Sequence, residues 1–127
     1  GNMANIFSVW LDDNSLTGTI PTEVGTLSQL ASLSITNGNL TGPIPTEMGL
    51  LTGLRRVWLY GNQLSGTVPT ELGSLSILEV FEIQDNDLGG RMPRPVCDAI
   101  GTSGYEHKSL LADCQQVACD NCCSLCR

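Results

Sequence analysis

The chain has 127 residues, of which 41% are hydrophobic and 15% are charged, and its formal net charge is −7 at pH 7. This acidic balance argues against nucleic acids and anionic membrane surfaces as main partners, since both require basic patches on the protein. The hydrophobic content argues against a disordered acidic chain. No apolar run approaches the roughly 20 residues that a membrane-spanning helix needs. The totals therefore predict one folded domain with a modest core.

A 24-residue repeat begins near the start of the chain and is marked most plainly by Pro21, Pro45, Pro69 and Pro93. Apolar residues recur at fixed positions upstream of each proline, and a glycine stands three residues before it. Each unit has the period-two alternation of one short strand, followed by a return path with glycine and proline. One unit cannot bury its own leucines, so the repeat predicts stacked coils that share a continuous core.

The repeat unit reads L-x-x-L-x-L-x-x-N-x-L-[TS]-G-x-I-P-x-E-x-G-x-L-x-x, and NQLSGTVPTELGSLSIL (62–78) carries it almost whole. This pattern resembles the leucine-rich repeat family in its 24-residue, plant-type version. The resemblance implies an α/β-type solenoid: a right-handed superhelix with short parallel strands on the concave face and an irregular or 3-10 convex side. We expect about four repeats over residues 1–96, the first starting mid-repeat, and a cysteine-rich C-terminal cap over residues 97–127.

An asparagine column recurs in the repeat at Asn14, Asn62 and Asn86. We expect these side chains to bond backbone groups at the turn, which leaves few buried polar groups unpaired. Gly38 breaks the column. A weaker or water-filled link is predicted there, with Asn37 or Asn39 as substitutes for the missing amide.

Side chains between the strand leucines point outward from the concave face in the resembling family. Both tryptophans of the chain, Trp10 and Trp58, fall in one such column, and Tyr60 shares their face by strand alternation. Trp, Tyr and Arg are enriched at binding hot spots. Alternatively, the tryptophans merely cover neighbouring leucines. The predicted binding surface consists of Trp10, Asp12, Arg56, Trp58, Tyr60, Glu82 and Gln84. A further outward column is predicted to hold Asp13, Asn37, Gly61 and Asp85.

The triplet Asn39-Leu40-Thr41 is a glycosylation sequon at an exposed position of the repeat. It predicts a glycan on Asn39 if the chain follows a secretory route. The start of the chain raises a separate expectation, because Gly1 is in register with Gly25 and so falls inside a repeat. A solenoid end exposes apolar surface. We expect upstream repeats of a longer parent chain, or a partner, to cover the N-terminal end.

The six cysteines all follow the last full repeat. We favour three disulfides that seal this end of the solenoid, since the count is even and the core would otherwise be open there. Two adjoining C-x-x-C spacings also leave a zinc site or a redox motif as alternatives. The cap resembles those of diatom and algal leucine-rich repeat proteins. The predicted disulfide residues are Cys97, Cys114, Cys119, Cys122, Cys123 and Cys126.

The C-terminal region also contains two predicted elements and the only histidine. Pro95–Ile100 predicts a short helical turn. Leu110–Cys114 is compatible with a last strand or with the start of a helix that continues to Val117, and continuity with the stack favours the strand. His107 lies in a polar loop without an orienting partner nearby in the sequence, which indicates a surface residue rather than a catalytic one.

The sequence therefore predicts a non-catalytic protein–protein interaction module, with no cofactor, that binds a protein, peptide or glycan through its concave strand face. Two alternatives remain: a structural or accessory subunit of a larger extracellular or lumenal assembly, and an inhibitor of a secreted hydrolase. The cysteines favour a secreted or extracellular location, or another oxidising lumenal compartment.

Overall fold

The computed structural model describes residues 7–101, 108–113, 117–118 and 125–126, the last pair by their backbone alone. The described strands are β1 (Ser8–Trp10), β2 (Thr17–Thr19), β3 (Ser32–Ser34), β4 (Asn39–Gly42), β5 (Arg56–Trp58), β6 (Gln63–Thr67), β7 (Val80–Glu82), β8 (Asp87–Arg91), β9 (Ser109–Ala112), β10 (Val117–Ala118) and β11 (Leu125–Cys126). The helices are three 3-10 helices at Thr22–Thr26, Thr46–Leu50 and Thr70–Ser74, and the α-helix α1 at Arg94–Ile100.

The strands form two parallel sheets that run along the length of a solenoid. The first sheet has the order β1-β3-β5-β7-β9-β11, and the second has the order β10-β8-β6-β4-β2. Successive coils pair in a constant register in the first sheet, with Ser8 opposite Ser32 and Ser32 opposite Arg56. Each repeat therefore gives one strand to each sheet, and the predicted leucine-rich repeat solenoid is confirmed.

The convex side is more regular than the sequence predicted. The expected 3-10 helices are present and follow Pro21, Pro45 and Pro69 directly, and a second sheet precedes them. In β4 and β6 one leucine is buried between exposed polar residues, as at Leu40 between Asn39 and Thr41. The repeat glycines Gly18, Gly42, Gly66 and Gly90 have φ between 77° and 89°, a left-handed conformation that favours glycine. The convex side thus contains a second parallel sheet in addition to the expected 3-10 helices.

A second glycine column lets neighbouring coils approach closely on the convex side. A Cβ atom at Gly25 would lie 2.7 Å from the backbone oxygen of Glu47, and one at Gly49 would lie 2.5 Å from that of Glu71. Real Cβ atoms do not come so near to backbone. The glycine of the E-x-G pattern is therefore required by coil-to-coil packing.

The core is a continuous column of apolar side chains between the two sheets. Leu30, Leu54 and Leu78 occupy equivalent positions in successive coils, and each is at most 1% exposed. Phe81 is the largest fully buried side chain described. Because each coil buries its leucines against the next, the fold depends on stacking rather than on any single unit.

The asparagine column links the coils through buried hydrogen bonds. Asn62 Nδ2 donates to the carbonyl oxygens of Ile35 (2.8 Å) and Leu59 (3.1 Å), while its Oδ1 accepts from the Leu40 backbone N–H (3.3 Å). Asn86 repeats the arrangement one coil later, and its Nδ2 also donates to the carbonyl oxygen of Leu59 (2.9 Å). The predicted role of the column is thus confirmed for these two residues.

The break at Gly38 is not repaired in the way that the sequence suggested. Asn37 and Asn39 both have exposed side chains, so neither replaces the missing interior amide. A Cβ atom at Gly38 would lie 3.0 Å from Asn62 Oδ1, an atom of the next coil. Asn14 belongs to the same column but is exposed in the first described coil.

The C-terminal region continues the solenoid instead of merely covering it. Helix α1 contains the predicted helical turn, packs beside the 3-10 helix Thr70–Ser74, and takes the place of a fourth 3-10 helix. β9 confirms the predicted strand and extends the first sheet, and β11 pairs with β9. Asp113 Oδ2 accepts a hydrogen bond from the Asn86 backbone N–H (3.2 Å), which ties this region to the repeats.

Cys97 is buried on α1 and is disulfide-bonded. The side chains of the other five cysteines lie outside the described residues, as does His107. The three-bridge cap and its zinc and redox alternatives therefore stay predictions.

Candidate functional site on the first sheet

The candidate site is the outward face of β1, β3, β5 and β7. Strand alternation turns the middle residue of each strand inward, as at Val57, and its neighbours Arg56 and Trp58 outward. The parallel register then aligns the outward residues of successive coils in rows. The predicted binding residues Trp10, Arg56, Trp58 and Glu82 lie on these strands, and Asp12, Tyr60 and Gln84 follow directly after them.

The two tryptophans meet across the intervening coil. Trp10 and Trp58 each pair with Ser34, from β1 and β5 on either side of β3, so their backbones are separated by about 9.6 Å, two strand spacings. Their ring centroids are nevertheless 5.4 Å apart, with an interplanar angle of 32°. This distance lies within the range of favourable aromatic pairs. The rings therefore lean towards each other above Ser34, which is only 3% exposed.

This arrangement combines both sequence interpretations of the tryptophans. They cover a neighbour, although the neighbour is Ser34 rather than a leucine. Trp10 still remains 58% exposed and Trp58 is half-buried. We call these two residues the aromatic pair. Burial of an outward-facing serine was not foreseen, because it depends on the direction in which the large neighbours lean.

Asp12 fixes the edge of the site beside the aromatic pair. Its Oδ1 accepts hydrogen bonds from Ser34 Oγ (2.5 Å), from Thr36 Oγ1 (3.0 Å) and from the Thr36 backbone N–H (3.0 Å). No described residue donates a hydrogen bond to its Oδ2. Since three donors hold one oxygen in place, the carboxylate is oriented before any partner arrives, and its other oxygen can accept a further hydrogen bond.

The remaining predicted residues differ in their exposure. Arg56 is exposed and Tyr60 is half-buried. Glu82 is half-buried, and its Oε1 accepts a hydrogen bond from Ser109 Oγ (3.0 Å). Gln84 is only 5% exposed, and its Oε1 has no hydrogen-bond partner among the described residues. The accessible part of the surface is thus centred on Trp10, Trp58 and Arg56.

The fourth outward column is a column of turns. Asp13, Asn37 and Asp85 have φ of 52°, 51° and 57°, and Gly61 has φ of 72°. Only glycine and, less often, asparagine or aspartate adopt this left-handed conformation routinely. The composition of the column is therefore explained by the backbone where the chain leaves each strand of the first sheet.

An apolar cavity lies between the sheets at the N-terminal end of the described coils. Its volume is about 410 Å³ and its lining is mainly apolar, with Val9, Leu11, Val24, Leu27 and Leu33 among its residues. Leu11 is 38% exposed there. The predicted cover for this end, an upstream repeat or a partner, stays a prediction.

The described residues form neither a metal-binding cluster nor a membrane-spanning helix. No group of three or more His, Cys, Asp or Glu side chains in that part of the chain is arranged to hold a metal ion. The described α-helix has seven residues, and no described helix is long and apolar enough to cross a bilayer.

Comparison with known proteins gives a family match and several similar structures. The leucine-rich repeat family model matches residues 53–75. No curated protein sequence matches significantly. The structure of PEPR1 with AtPEP1 is 33% identical, with a TM-score of 0.73, over 74% of this chain and 13% of that one. The ectodomain of the Arabidopsis receptor kinase HAESA, in complex with an IDA peptide hormone, is 31% identical, with a TM-score of 0.69, over 82% and 16%.

A plant ice-binding protein is also similar, with 29% identity and a TM-score of 0.72, over 84% of this chain and 35% of that one. The chain thus spans only 13–35% of the length of these three relatives. Their functions differ, so the shared fold alone does not decide what this chain binds. The 24-residue repeat, the two parallel sheets and the family match together identify the chain as a leucine-rich repeat protein of the plant type.

Proposed function

We propose that the chain is a non-catalytic, extracellular recognition module that binds a peptide or a protein segment on the first sheet. The observation that carries this proposal is the aromatic pair, Trp10 and Trp58, held on a rigid parallel sheet with Trp10 largely exposed. Large aromatic side chains in fixed positions are typical centres of binding energy. The complex of HAESA with a peptide hormone supports the ligand class.

The polar groups around the aromatic pair suggest how a ligand would be oriented. An apolar ligand side chain would pack on the two rings. The free Oδ2 of Asp12 would accept a hydrogen bond from a backbone N–H or a basic group of the ligand, and Arg56 would face a carbonyl or carboxylate. The hydroxyl groups of Ser34 and Thr36 are already engaged with Asp12, so they would position the carboxylate rather than contact the ligand.

A peptide-display selection tests this proposal. The chain is used to enrich peptides from a random library, and the affinity of each enriched peptide is measured on the chain and on the double variant Trp10→Ala/Trp58→Ala. We expect the double variant to bind at least about tenfold more weakly, which corresponds to about 1.4 kcal/mol. Equal affinities for both proteins would reject the first sheet as the binding surface.

Leu50→Ala is the matched control for the loss of exposed hydrophobic area. Leu50 is 67% exposed on a 3-10 helix of the convex side, away from the aromatic pair. Its removal should leave peptide affinity unchanged. Circular dichroism of all variants checks whether the exposure of Ser34 in the double variant unfolds the coil. A stable single-chain species in solution would count against the alternative of a permanent assembly subunit.

A second candidate function is adsorption to ice, favoured by the similar plant ice-binding protein and by the second sheet. The exposed residues of β2, β4 and β6 are all uncharged and hydrogen-bonding, apart from glycines. We call them the neutral face, and they repeat at the strand spacing of about 4.8 Å. They are Thr17, Thr19, Asn39, Thr41, Gln63, Ser65 and Thr67. If the parent chain shows thermal hysteresis and the double variant Thr19→Lys/Ser65→Lys loses it, this candidate is supported. A parent chain without thermal hysteresis would dismiss it.

A further inference from the structure

The sequon Asn39-Leu40-Thr41 occupies a regular strand whose geometry suits a glycan. Asn39 begins β4 and is exposed, Leu40 is 5% exposed, and Thr41 is exposed again. The period-two alternation therefore turns both recognition residues, Asn39 and Thr41, away from the core. This is the only N-x-[ST] triplet in the chain.

The side-chain amide of Asn39 also has no hydrogen-bond partner among the described residues. The backbone N–H of Asn39 donates to the Leu16 carbonyl oxygen (3.0 Å). The residue contrasts with Asn62, which is only 8% exposed and whose amide is bonded on both sides. Substitution at the Asn39 nitrogen therefore breaks no hydrogen bond of the described fold.

The surroundings leave room for a sugar. In the register of the second sheet, Asn39 lies opposite Thr17 and Thr41 lies opposite Gln63. The nearby exposed side chains are short or uncharged, and Gly18 has no atom within 4 Å of an ideal Cβ position. A flat, open and neutral surface thus extends around the amide.

We propose that Asn39 is an N-glycosylation site and that its glycan shields the second sheet. The reaction requires a polyprenyl-diphosphate-linked oligosaccharide as sugar donor. A bond forms between Asn39 Nδ2 and the anomeric carbon of the first sugar, and the amide loses one proton. The bond between that carbon and the diphosphate oxygen breaks, and the diphosphate leaves with the bonding electron pair.

The position of this glycan has a consequence for binding. Asn39 lies on the second sheet and the aromatic pair lies on the first sheet, so the glycan leaves the aromatic pair accessible. It stands within the neutral face, however, and prevents that face from lying flat against an extended surface. The glycan therefore excludes macromolecular partners from the second sheet and leaves the first sheet open. This inference does not depend on which ligand the first sheet recognises.

The test is secretion of the whole chain from a eukaryotic host, followed by intact-mass measurement before and after peptide-N-glycosidase treatment. We expect one glycan to be released, with conversion of Asn39 to aspartate in the corresponding peptide. Asn39→Gln and Thr41→Ala should secrete without the glycan, whereas Thr41→Ser should retain it. Thr19→Ala is the matched control, because Thr19 is the cross-strand neighbour of Thr41 and lies outside any sequon.

Folded, secreted protein that has no enzyme-sensitive mass at Asn39 would overturn the proposal. The outcome is distinguishable from that of the proposed function. Peptide binding that depends on the aromatic pair can succeed or fail independently of the mass shift at Asn39.

Discussion

Removal of Asn62 should destabilise the solenoid by an amount that follows from its hydrogen bonds. Asn62→Ala leaves the Leu40 N–H and the Ile35 carbonyl oxygen without the partners described above. The Leu59 carbonyl oxygen keeps a partner, because Asn86 Nδ2 also donates to it at 2.9 Å. Each of the two buried orphaned groups costs about 1–3 kcal/mol, so the free energy of unfolding should fall by about 2–6 kcal/mol.

Asn62 and Asn86 both donate to the Leu59 carbonyl oxygen, and this shared acceptor leads to a sharper prediction for the double variant. Asn86→Ala alone should cost a similar amount, since Asn62 still donates to Leu59 at 3.1 Å. Only Asn62→Ala/Asn86→Ala orphans the Leu59 carbonyl oxygen. The double variant should therefore lose about 1–3 kcal/mol more than the two single losses predict together.

Urea denaturation followed by the fluorescence of Trp10 and Trp58 measures these changes under oxidising conditions. If the double variant is unfolded even without urea, sulfate is added to raise the stability of the parent chain, both single variants and the double variant. Asn14→Ala is the matched control, because this residue of the same column is exposed, and its loss should cost less than about 0.5 kcal/mol. Equal losses for Asn14→Ala and Asn62→Ala, or additive losses in the double variant, would refute this explanation of the column.

Two further predictions use the same denaturation assay. Gly49→Ala should cost about 1–3 kcal/mol by overpacking against Glu71, whereas Gly53→Ala, whose Cβ would meet its nearest neighbour at 3.8 Å, should change stability by less than about 0.5 kcal/mol; equal effects would contradict the packing argument. Cys97→Ser should lower stability by about 2–5 kcal/mol, and reductant should lower the stability of the parent chain at least as much; a parent chain indifferent to reductant would contradict a stabilising bridge.

The repeat period predicted the first sheet and the core, because apolar residues that recur at a fixed position of every repeat must all face the same direction in stacked coils. Leu30, Leu54 and Leu78 must face inward if the coils stack, and the structure places them there. The second sheet was not predicted because its strands lack the L-x-L alternation that marks the first sheet. β4 and β6 each bury a single leucine, Leu40 and Leu64, and each contains a glycine, so they show no period of two.

The candidate site was less predictable than the fold. Alternation identified Trp10 and Trp58 as outward-facing, but the contact between their rings depends on rotamers and on the small size of Ser34. The left-handed turns at Asp13 and Asn37 could have been recognised from the Asp, Asn and Gly composition of their column. The burial of Gln84 follows from its neighbours and has no signal in its own position.

The contact between Trp10 and Trp58 joins two coils that are not adjacent, and its length therefore depends on how strongly the solenoid curves. If the solenoid flattened, the rings above Ser34 would separate towards the spacing of their strands; if it curved more tightly, they would close further. Coupled indole rings give an exciton signal in circular dichroism that weakens steeply with distance. The exciton signal of the two tryptophans can therefore report, without any added label, whether a ligand bound to the first sheet changes the curvature of the solenoid.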